Sequence, residues 1–142
     1  MLSAAPRIRF DRLARAALAP PACRVQTNNR SNAMKRMGMV IGIKPERIAE
    51  YKKTHAAVWP EVLAKISDCN MRNYTIFLRE PENLLFGYFE YHGEDWATDA
   101  AKMAADPKTQ EWWAIHNPMQ APLDSRNEGD WWAMAEEVFH TD

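Results

Sequence analysis

The chain has 142 residues, of which 46% are hydrophobic and 26% charged, a composition typical of one globular domain. The net charge of −1 conceals an asymmetry, because residues 1–36 contain eight basic residues and one acidic residue. Ten of the 18 basic and 18 of the 19 acidic residues therefore lie in residues 37–142, which gives that part a net charge of −8. An acidic main part argues against a nucleic-acid-binding protein.

Several other classes of protein lack support in the sequence. No apolar run approaches the about 18–20 residues that a membrane helix needs. The four histidines are scattered without cysteine or carboxylate at zinc-like spacing, and the five glycines stand singly, so neither a metal site nor a phosphate loop is predicted. Cys23 and Cys69 form no spacing motif, which fits a reducing compartment and predicts a cytoplasmic location.

Residues 1–33 lack the periodicity of a core-forming strand or helix. Their Arg-rich, acid-poor composition is similar to that of a mitochondrial presequence, but the same text fits upstream sequence before the true start. Residues 31–33 directly before Met34 look like a scar left by tag removal, which would make Met34 the natural first residue. We therefore predict an N-terminal extension over 1–33, disordered in part, and a single domain over 34–142.

The sequence of the first half of this domain predicts a strand, a helix and a hairpin. Residues 37–43 form a short apolar run typical of a buried strand. A helix is expected from Pro45 to about residue 58, with a kink or a fresh helical start at Pro60 and a continuation to about residue 67. Residues 71–79 alternate, with Tyr74 on the face of Arg72, Ile76 and Leu78, and residues 84–91 complete the hairpin after a turn at 80–83.

The second half predicts two more helices and a last strand. An Ala-rich helix covers residues 96–105, and Asp106 caps a second helix that begins at Pro107 and ends before Pro118. Residues 117–130 are polar and predict a loop, and residues 131–140 alternate like a strand. The order βαββαβ predicts an α+β, ferredoxin-like sandwich with helices on one face of an antiparallel sheet. The hairpin is apolar on both faces, so we expect a homodimer through the open sheet face.

His55 occupies an unusual position on the first helix. About 100° of rotation per residue puts it in the middle of an apolar stripe, and Tyr51, His55 and Trp59 are spaced four apart along one face. A histidine in that position is either a packed, hydrogen-bonded core residue or part of a site. Two aromatic neighbours with polar tips favour a sugar-sized slot, because Tyr and Trp need partners for O–H and N–H.

Trp112 and Trp113 form the second informative group. Adjacent helical residues point about 100° apart, so only one of the two can face the core centrally. Plain packing accounts for such a pair, and a stacking platform for the C–H face of a pyranose accounts for it equally well.

With these residues assembled, the chain resembles the L-rhamnose mutarotases over nearly everything from about Arg36 to the C-terminus. Several separated motifs in order make the resemblance specific. They are Tyr51-Lys-Lys-Thr-His55, Val58-Trp59-Pro60-Glu61, Asn73-Tyr74 with Ile76, Asn83-Leu84-Leu85-Phe86, Trp112-Trp113 and Glu137-Val138-Phe139.

The resemblance implies a ferredoxin-like subunit that dimerises through its sheet and interconverts the α and β anomers of L-rhamnose without a cofactor. It implies that His55 is the proton donor and that Tyr51, Tyr74, Trp112 and Trp113 bind the sugar, with Trp59 as further support for the pocket. Two alternatives remain open from the residues alone: a cofactor-free monooxygenase of the dimeric α+β barrel type, and a sugar-binding module without turnover. Which group takes the anomeric proton is also left open.

Overall fold

The computed structural model describes residues 34–142, so the expectations for residues 1–33 lie outside the described part of the chain. The strands are β1 (Lys35–Ile43), β2 (Met71–Arg79), β3 (Leu84–Tyr91), β4 (Gln120–Ala121) and β5 (Ala133–Ala135). The helices are α1 (Ile48–His55), α2 (Pro60–Asp68), α3 (Trp96–Ala104) and α4 (Pro107–His116), with 3-10 turns at Pro45–Arg47 and Asn117–Met119. None of the helices described is long and apolar enough to cross a membrane.

The strands form one antiparallel sheet in the order β2-β3-β1-β4, and β5 pairs with β1 as well. β4 meets the end of β1 and β5 meets its middle, so the two short strands together take the place of one edge strand. The helices pack on one face, where Ile48 and Tyr51 of α1 contact Ile41 and Leu85 of the sheet. The α+β, ferredoxin-like architecture predicted from the element order is therefore confirmed.

The helix predicted to reach residue 58 ends at His55. Proline disfavours helical geometry in the residue before it, and Trp59 is extended at φ −60° and ψ 135°. A fresh helix, α2, then begins with Pro60 as its first residue, as expected. The expectation that Trp59 continues the row of Tyr51 and His55 is wrong, because Trp59 lies outside α1.

The hairpin contains a bulge that the alternation did not predict. The register with β3 shifts between Arg72 and Thr75, and Asn73 has a positive φ of 50°. Met71 is consequently buried on the helix side at 4% exposure, whereas strict alternation placed it on the open face with Thr75 and Phe77. Beyond the bulge the prediction holds, because Tyr74 packs against the core and Phe77 is 60% exposed.

The last strand is shorter than predicted, and the loop before it is more structured. Residues 117–130 contain the second 3-10 turn and β4, and only Ala133–Ala135 of the expected strand 131–140 pairs with β1. Alternation marks residues that could enter a sheet, but a strand forms only where a neighbouring backbone supplies hydrogen bonds. Val138 and Phe139 lie beyond that pairing and are 89% and 80% exposed.

The cap predicted for α4 is present, and α3 has a cap that was not predicted from the sequence. The Asp106 carboxylate accepts a hydrogen bond of 2.9 Å from the Thr109 N–H at the start of α4, and Pro107 is the first helical residue. The Asp95 side chain caps α3 in the same way through Thr98. Asp106 and Pro107 fix where α4 begins, and α4 places Trp112 and His116 beside His55 of α1.

Candidate functional site

A cavity of about 530 Å³ lies between the helices and the sheet. That volume is within the about 300–1,000 Å³ usual for small-molecule sites. Its lining includes the five residues singled out from the sequence as catalytic or sugar-binding: Tyr51, His55, Tyr74, Trp112 and Trp113. The fold therefore brings together side chains from α1, β2 and α4 that are far apart in the sequence.

Tyr51 and His55 form a stacked pair one turn apart at the end of α1. Their ring centroids are 3.9 Å apart and their planes are inclined by 22°. His55 Nδ1 lies 2.9 Å from the carbonyl oxygen of Tyr51. A carbonyl only accepts, so neutral His55 carries its hydrogen on Nδ1 and has a lone pair on Nε2.

Nε2 of His55 is the atom available for chemistry. His55 hydrogen-bonds through Nδ1, and among residues 34–142 no buried side-chain nitrogen or oxygen lacks a partner. Nε2 is therefore solvent-accessible, and His55 lines the cavity. Burial lowers the pKa of His55, the hydrogen bond to Tyr51 opposes that effect, and the nearby His116 lowers the pKa further. The ring is consequently neutral through most of the physiological pH range.

The two tyrosines of the cavity act as neutral hydroxyl groups. Burial raises the pKa of Tyr51 to about 12, although hydrogen bonding with the Gln120 side chain partly offsets the effect. Burial likewise raises the pKa of Tyr74, and the neighbouring Tyr51 adds to it. Both hydroxyls therefore stay protonated at neutral pH, so they can donate and accept hydrogen bonds without serving as bases.

The two adjacent tryptophans have different environments, as their angular separation required. Trp112 is only 8% exposed and packs against His55 and His116, with ring centroids 5.3 Å and 4.0 Å away. Trp113 also lines the cavity but is 37% exposed, which makes it the accessible aromatic surface of the pair. Trp59 lies edge-on to Trp112 at 5.3 Å and so supports the wall from behind.

The sequence did not identify several residues that shape the site. His116 is buried at 3% exposure, and its Nε2 lies 2.8 Å from the Thr54 hydroxyl. Gln120 accepts a hydrogen bond of 2.7 Å from the indole N–H of Trp131. Gln120 and Trp131 both line the cavity, yet Gln120 lies within the stretch 117–130 that the sequence marked as a polar loop and Trp131 directly follows it. Nothing in its composition signals that this stretch folds back over the site.

A metal does not fit the arrangement of side chains described here. Within residues 34–142, no group of three or more His, Cys, Asp or Glu side chains is placed to hold a metal ion. His55 and His116 are close, at 4.9 Å between ring centroids, but each Nδ1 is bonded to a backbone carbonyl and Nε2 of His116 is bonded to Thr54. Two such imidazoles without a carboxylate or thiolate make a poor metal site.

The model of the L-rhamnose mutarotase family matches residues 36–141, which is most of the chain. The chain belongs to the L-rhamnose mutarotase family. Individual relatives agree. The L-rhamnose mutarotase of Oceanobacillus iheyensis is 37% identical over 112 residues, and that of Phocaeicola vulgatus is 38% identical over 119 residues. Each alignment covers 77% of this chain and 100% of the relative.

A solved structure agrees at the level of the fold. The crystal structure of an L-rhamnose mutarotase from Formosa agariphila superposes with a TM-score of 0.59 at 23% identity, over 76% of this chain and 99% of that one. Members of the L-rhamnose mutarotase family are carbohydrate isomerases, so the protein is an enzyme of the sugar mutarotase class, as the motifs indicated. These relatives give no support to a monooxygenase or to a binding module without turnover.

Proposed function

We propose that this enzyme interconverts the α and β anomers of L-rhamnose and that His55 carries the proton. The observation that supports the proposal most is the accessible Nε2 of His55 in a cavity walled by aromatic rings and neutral tyrosine hydroxyls. The identity of the sugar rests on the names of the relatives, which are L-rhamnose mutarotases. The role of each residue rests on the geometry.

The reaction needs two proton transfers and one reversible bond cleavage. A proton moves to the ring oxygen O5 and another leaves the anomeric hydroxyl O1, while the C1–O5 bond breaks and C1=O1 forms. Rotation about the C1–C2 bond turns the other face of the aldehyde towards O5. Closure then reverses both transfers, so protons and electrons balance and no cofactor is required. General acid–base catalysis of the usual 10²–10⁴-fold order suits such a reaction.

His55 is best suited to act at O5. On opening, the imidazolium donates its Nε2 proton to O5, and on closure the neutral Nε2 takes the proton back. O5 keeps its place during inversion because the rest of the sugar stays bound, whereas O1 swings to the other side of C1. A fixed side chain can therefore exchange a proton with O5, whereas O1 needs a mobile partner such as a water molecule for its proton transfer. The high pKa values of Tyr51 and Tyr74 argue against either tyrosine as the base.

The walls of the cavity fit the remainder of a 6-deoxy sugar. Trp113 offers an exposed ring for the C–H face of the pyranose, and the hydroxyls of Tyr51 and Tyr74 offer hydrogen bonds to its oxygens. Phe89 of β3 packs against Trp96 of α3, and with Met103 these side chains form an apolar end of the lining that has no charged groups. Such an environment accepts a methyl group more readily than a hydroxymethyl group, because an unpaired hydroxyl buried there costs free energy.

We also propose that two copies associate through the open face of the sheet. Phe77 and Phe86 are directly opposite each other in the β2–β3 register and are 60% and 40% exposed. Burial of these side chains against a second sheet removes apolar area from water. A cytoplasmic location is inferred from the cysteines, of which Cys69 is a buried free thiol.

Saturation-transfer NMR on an anomeric mixture of L-rhamnose tests the activity directly, since it measures exchange between the two anomeric protons. We expect enzyme-dependent transfer with L-rhamnose and much weaker transfer with L-mannose, the matched sugar that carries a hydroxymethyl group. Equal saturation transfer with both sugars would contradict the proposal that the apolar end of the cavity binds the methyl group. Binding of L-rhamnose without any enzyme-dependent transfer would contradict the proposed function.

A further inference from the structure

His116 is a buried titratable group that the proposed chemistry does not use. It is 3% exposed and ends α4, and its ring is tilted by 33° against that of Trp112. Its Nδ1 lies 2.7 Å from the carbonyl oxygen of Trp112, one turn back on its own helix. Neutral His116 therefore also carries its hydrogen on Nδ1, and its Nε2 has the lone pair.

Thr54 joins His116 to the turn that holds His55. His116 Nε2 lies 2.8 Å from the Thr54 hydroxyl, which in turn lies 3.0 Å from the carbonyl oxygen of Tyr51. The same carbonyl accepts the Nδ1–H of His55 at 2.9 Å. One carbonyl thus connects the two histidines, through Thr54 on one side and directly on the other.

The hydroxyl has one hydrogen and two candidate acceptors. When His116 is neutral, its Nε2 can only accept, so the Thr54 hydrogen points to His116 and the Tyr51 carbonyl is left to His55. When His116 is protonated, Nε2 donates to Thr54 and the hydroxyl hydrogen turns to the Tyr51 carbonyl, where it competes with His55. Neutral His116 therefore favours the bond that sets the tautomer of His55.

We propose that His116 is a positioning residue for His55: through Thr54 it fastens the last turn of α1 to α4 and keeps the Nδ1–H of His55 bonded to the Tyr51 carbonyl, so that Nε2 is the nitrogen that gains and loses the proton. The expected effect on catalysis rests on the proposed function, but the hydrogen bonds that position His55 do not depend on it. Across α1 and α4 the link joins residues 62 apart in sequence, so it ties together two walls of the cavity.

The charged groups around His55 and His116 leave the hydrogen bond between His116 and Thr54 undisturbed. Burial lowers the pKa of His116, whereas its hydrogen bond to the Trp112 carbonyl and the charge of Glu50, which is bonded to Arg47 at 2.9 Å, raise it. Burial outweighs both, so the pKa of His116 is lowered overall. Charged groups on the other elements near α4 are engaged with one another: Lys65 with Asp68 and Asp106, Lys102 with Asp68, and Lys108 with Glu111. Both imidazoles consequently remain neutral together near neutral pH.

Thr54→Val is the decisive variant, because it removes the hydroxyl while preserving shape, and Thr54→Ser is its matched control. We expect ring ¹⁵N shifts to place the hydrogen of neutral His55 on Nδ1 in the wild type. In Thr54→Val the last turn of α1 loses its bond to His116, so we expect the bond from His55 Nδ1–H to the Tyr51 carbonyl to loosen and a mixture of the two tautomers to appear, with kcat reduced about tenfold or more and KM within about twofold. Thr54→Ser should restore both the single tautomer and kcat, which a role in packing alone would not explain.

His116→Phe provides a second line of evidence by keeping a ring beside Trp112 and removing both nitrogens. With no nitrogen to accept from it, the Thr54 hydroxyl should turn to the Tyr51 carbonyl and compete with His55, so we expect a mixture of His55 tautomers and a lowered kcat here as well. Folded Thr54→Val and His116→Phe proteins that both retain the His55 tautomer and wild-type kcat would overturn the proposal. If the wild type itself did not exchange the anomers, the proposed function would fall, whereas the ¹⁵N shifts would still decide whether His116 positions His55.

Discussion

The imidazole of His55 lies face to face with the phenol ring of Tyr51, with 3.9 Å between centroids, and bonds through Nδ1 to the backbone of the same residue. The two contacts fix both the plane and the tautomer of the ring. A side chain that must move one proton to and from a fixed oxygen benefits from such restraint, since no orientation has to be found at each turnover. Tyr51 therefore contributes to His55 through its ring and its backbone as well as through its hydroxyl.

Replacement of the proposed proton carrier should separate chemistry from packing. We expect His55→Ala to lower kcat by about 10²-fold or more while KM changes little, because the aromatic walls remain. The loss of packing should cost about 1–3 kcal/mol of unfolding free energy. Saturation-transfer NMR and thermal unfolding measure the two effects. His92→Ala is the matched control, since His92 is exposed and bonds to Glu90 away from the cavity; a folded His55→Ala enzyme with wild-type exchange would remove His55 from the mechanism.

The pH dependence should show one imidazole with a depressed pKa. Burial lowers the pKa of His55 below its ordinary value of about 6.5. As the donor to O5 it must be protonated when the ring opens, so we expect the enzyme-dependent exchange rate to rise as pH falls towards that pKa and to level off below it. His55→Ala should lack this titration. A rate that fell on acidification through the same range would show instead that neutral His55 initiates opening as the base.

The two tryptophans should respond differently to truncation. Trp113 is exposed to the cavity, so Trp113→Ala should raise KM more than it lowers kcat. Trp112 is buried against both histidines, so Trp112→Ala should cost about 3–5 kcal/mol of unfolding free energy and lower kcat as well. Steady-state exchange rates and denaturant unfolding of the two variants test the contrast. Identical profiles would contradict the assignment of Trp113 as the sugar platform.

The open sheet face should determine the oligomeric state. We expect the wild type to have a dimer mass in light scattering at micromolar concentration and Phe86→Glu to have a monomer mass, because a charge at the centre of an apolar interface is costly to bury. Ile115→Glu is a matched control, since Ile115 has a similar exposure of 41% but lies on α4. A wild-type monomer would contradict the proposed dimer, and dissociation of both variants would place the interface elsewhere.

Removal of residues 1–33 should leave stability and exchange unchanged. Alignments over 77% of this chain cover 100% of the relatives from Oceanobacillus iheyensis and Mannheimia succiniciproducens. The family domain therefore does not require an N-terminal segment of this kind. Thermal unfolding and saturation transfer on the shortened protein provide the test. Aggregation or lost turnover would show that the segment contributes to the domain.

Much of the fold was readable from local signals. The start of α4 follows from Asp106 and Pro107, because a cap and a proline act within one helical turn. The sheet face on which Tyr74 lies followed from the alternation of β2. The face of Met71 did not, because a bulge is set by pairing with β3 and carries no strong local signature. The end of α1 at His55 was missed because Pro60 affects the backbone before it as well as its own position.

The sequence by itself determined which chemical groups are present and which helix or strand carries most of them. Only the tertiary structure decided that α1 and α4 meet, so that Thr54 bonds to His116 across 62 residues and Trp112 packs on His55. It also decided that residues 117–121 fold back as a turn and an edge strand, bringing Gln120 to the cavity. Such contacts depend on how whole elements pack to bury apolar surface, and no short window of sequence encodes that arrangement.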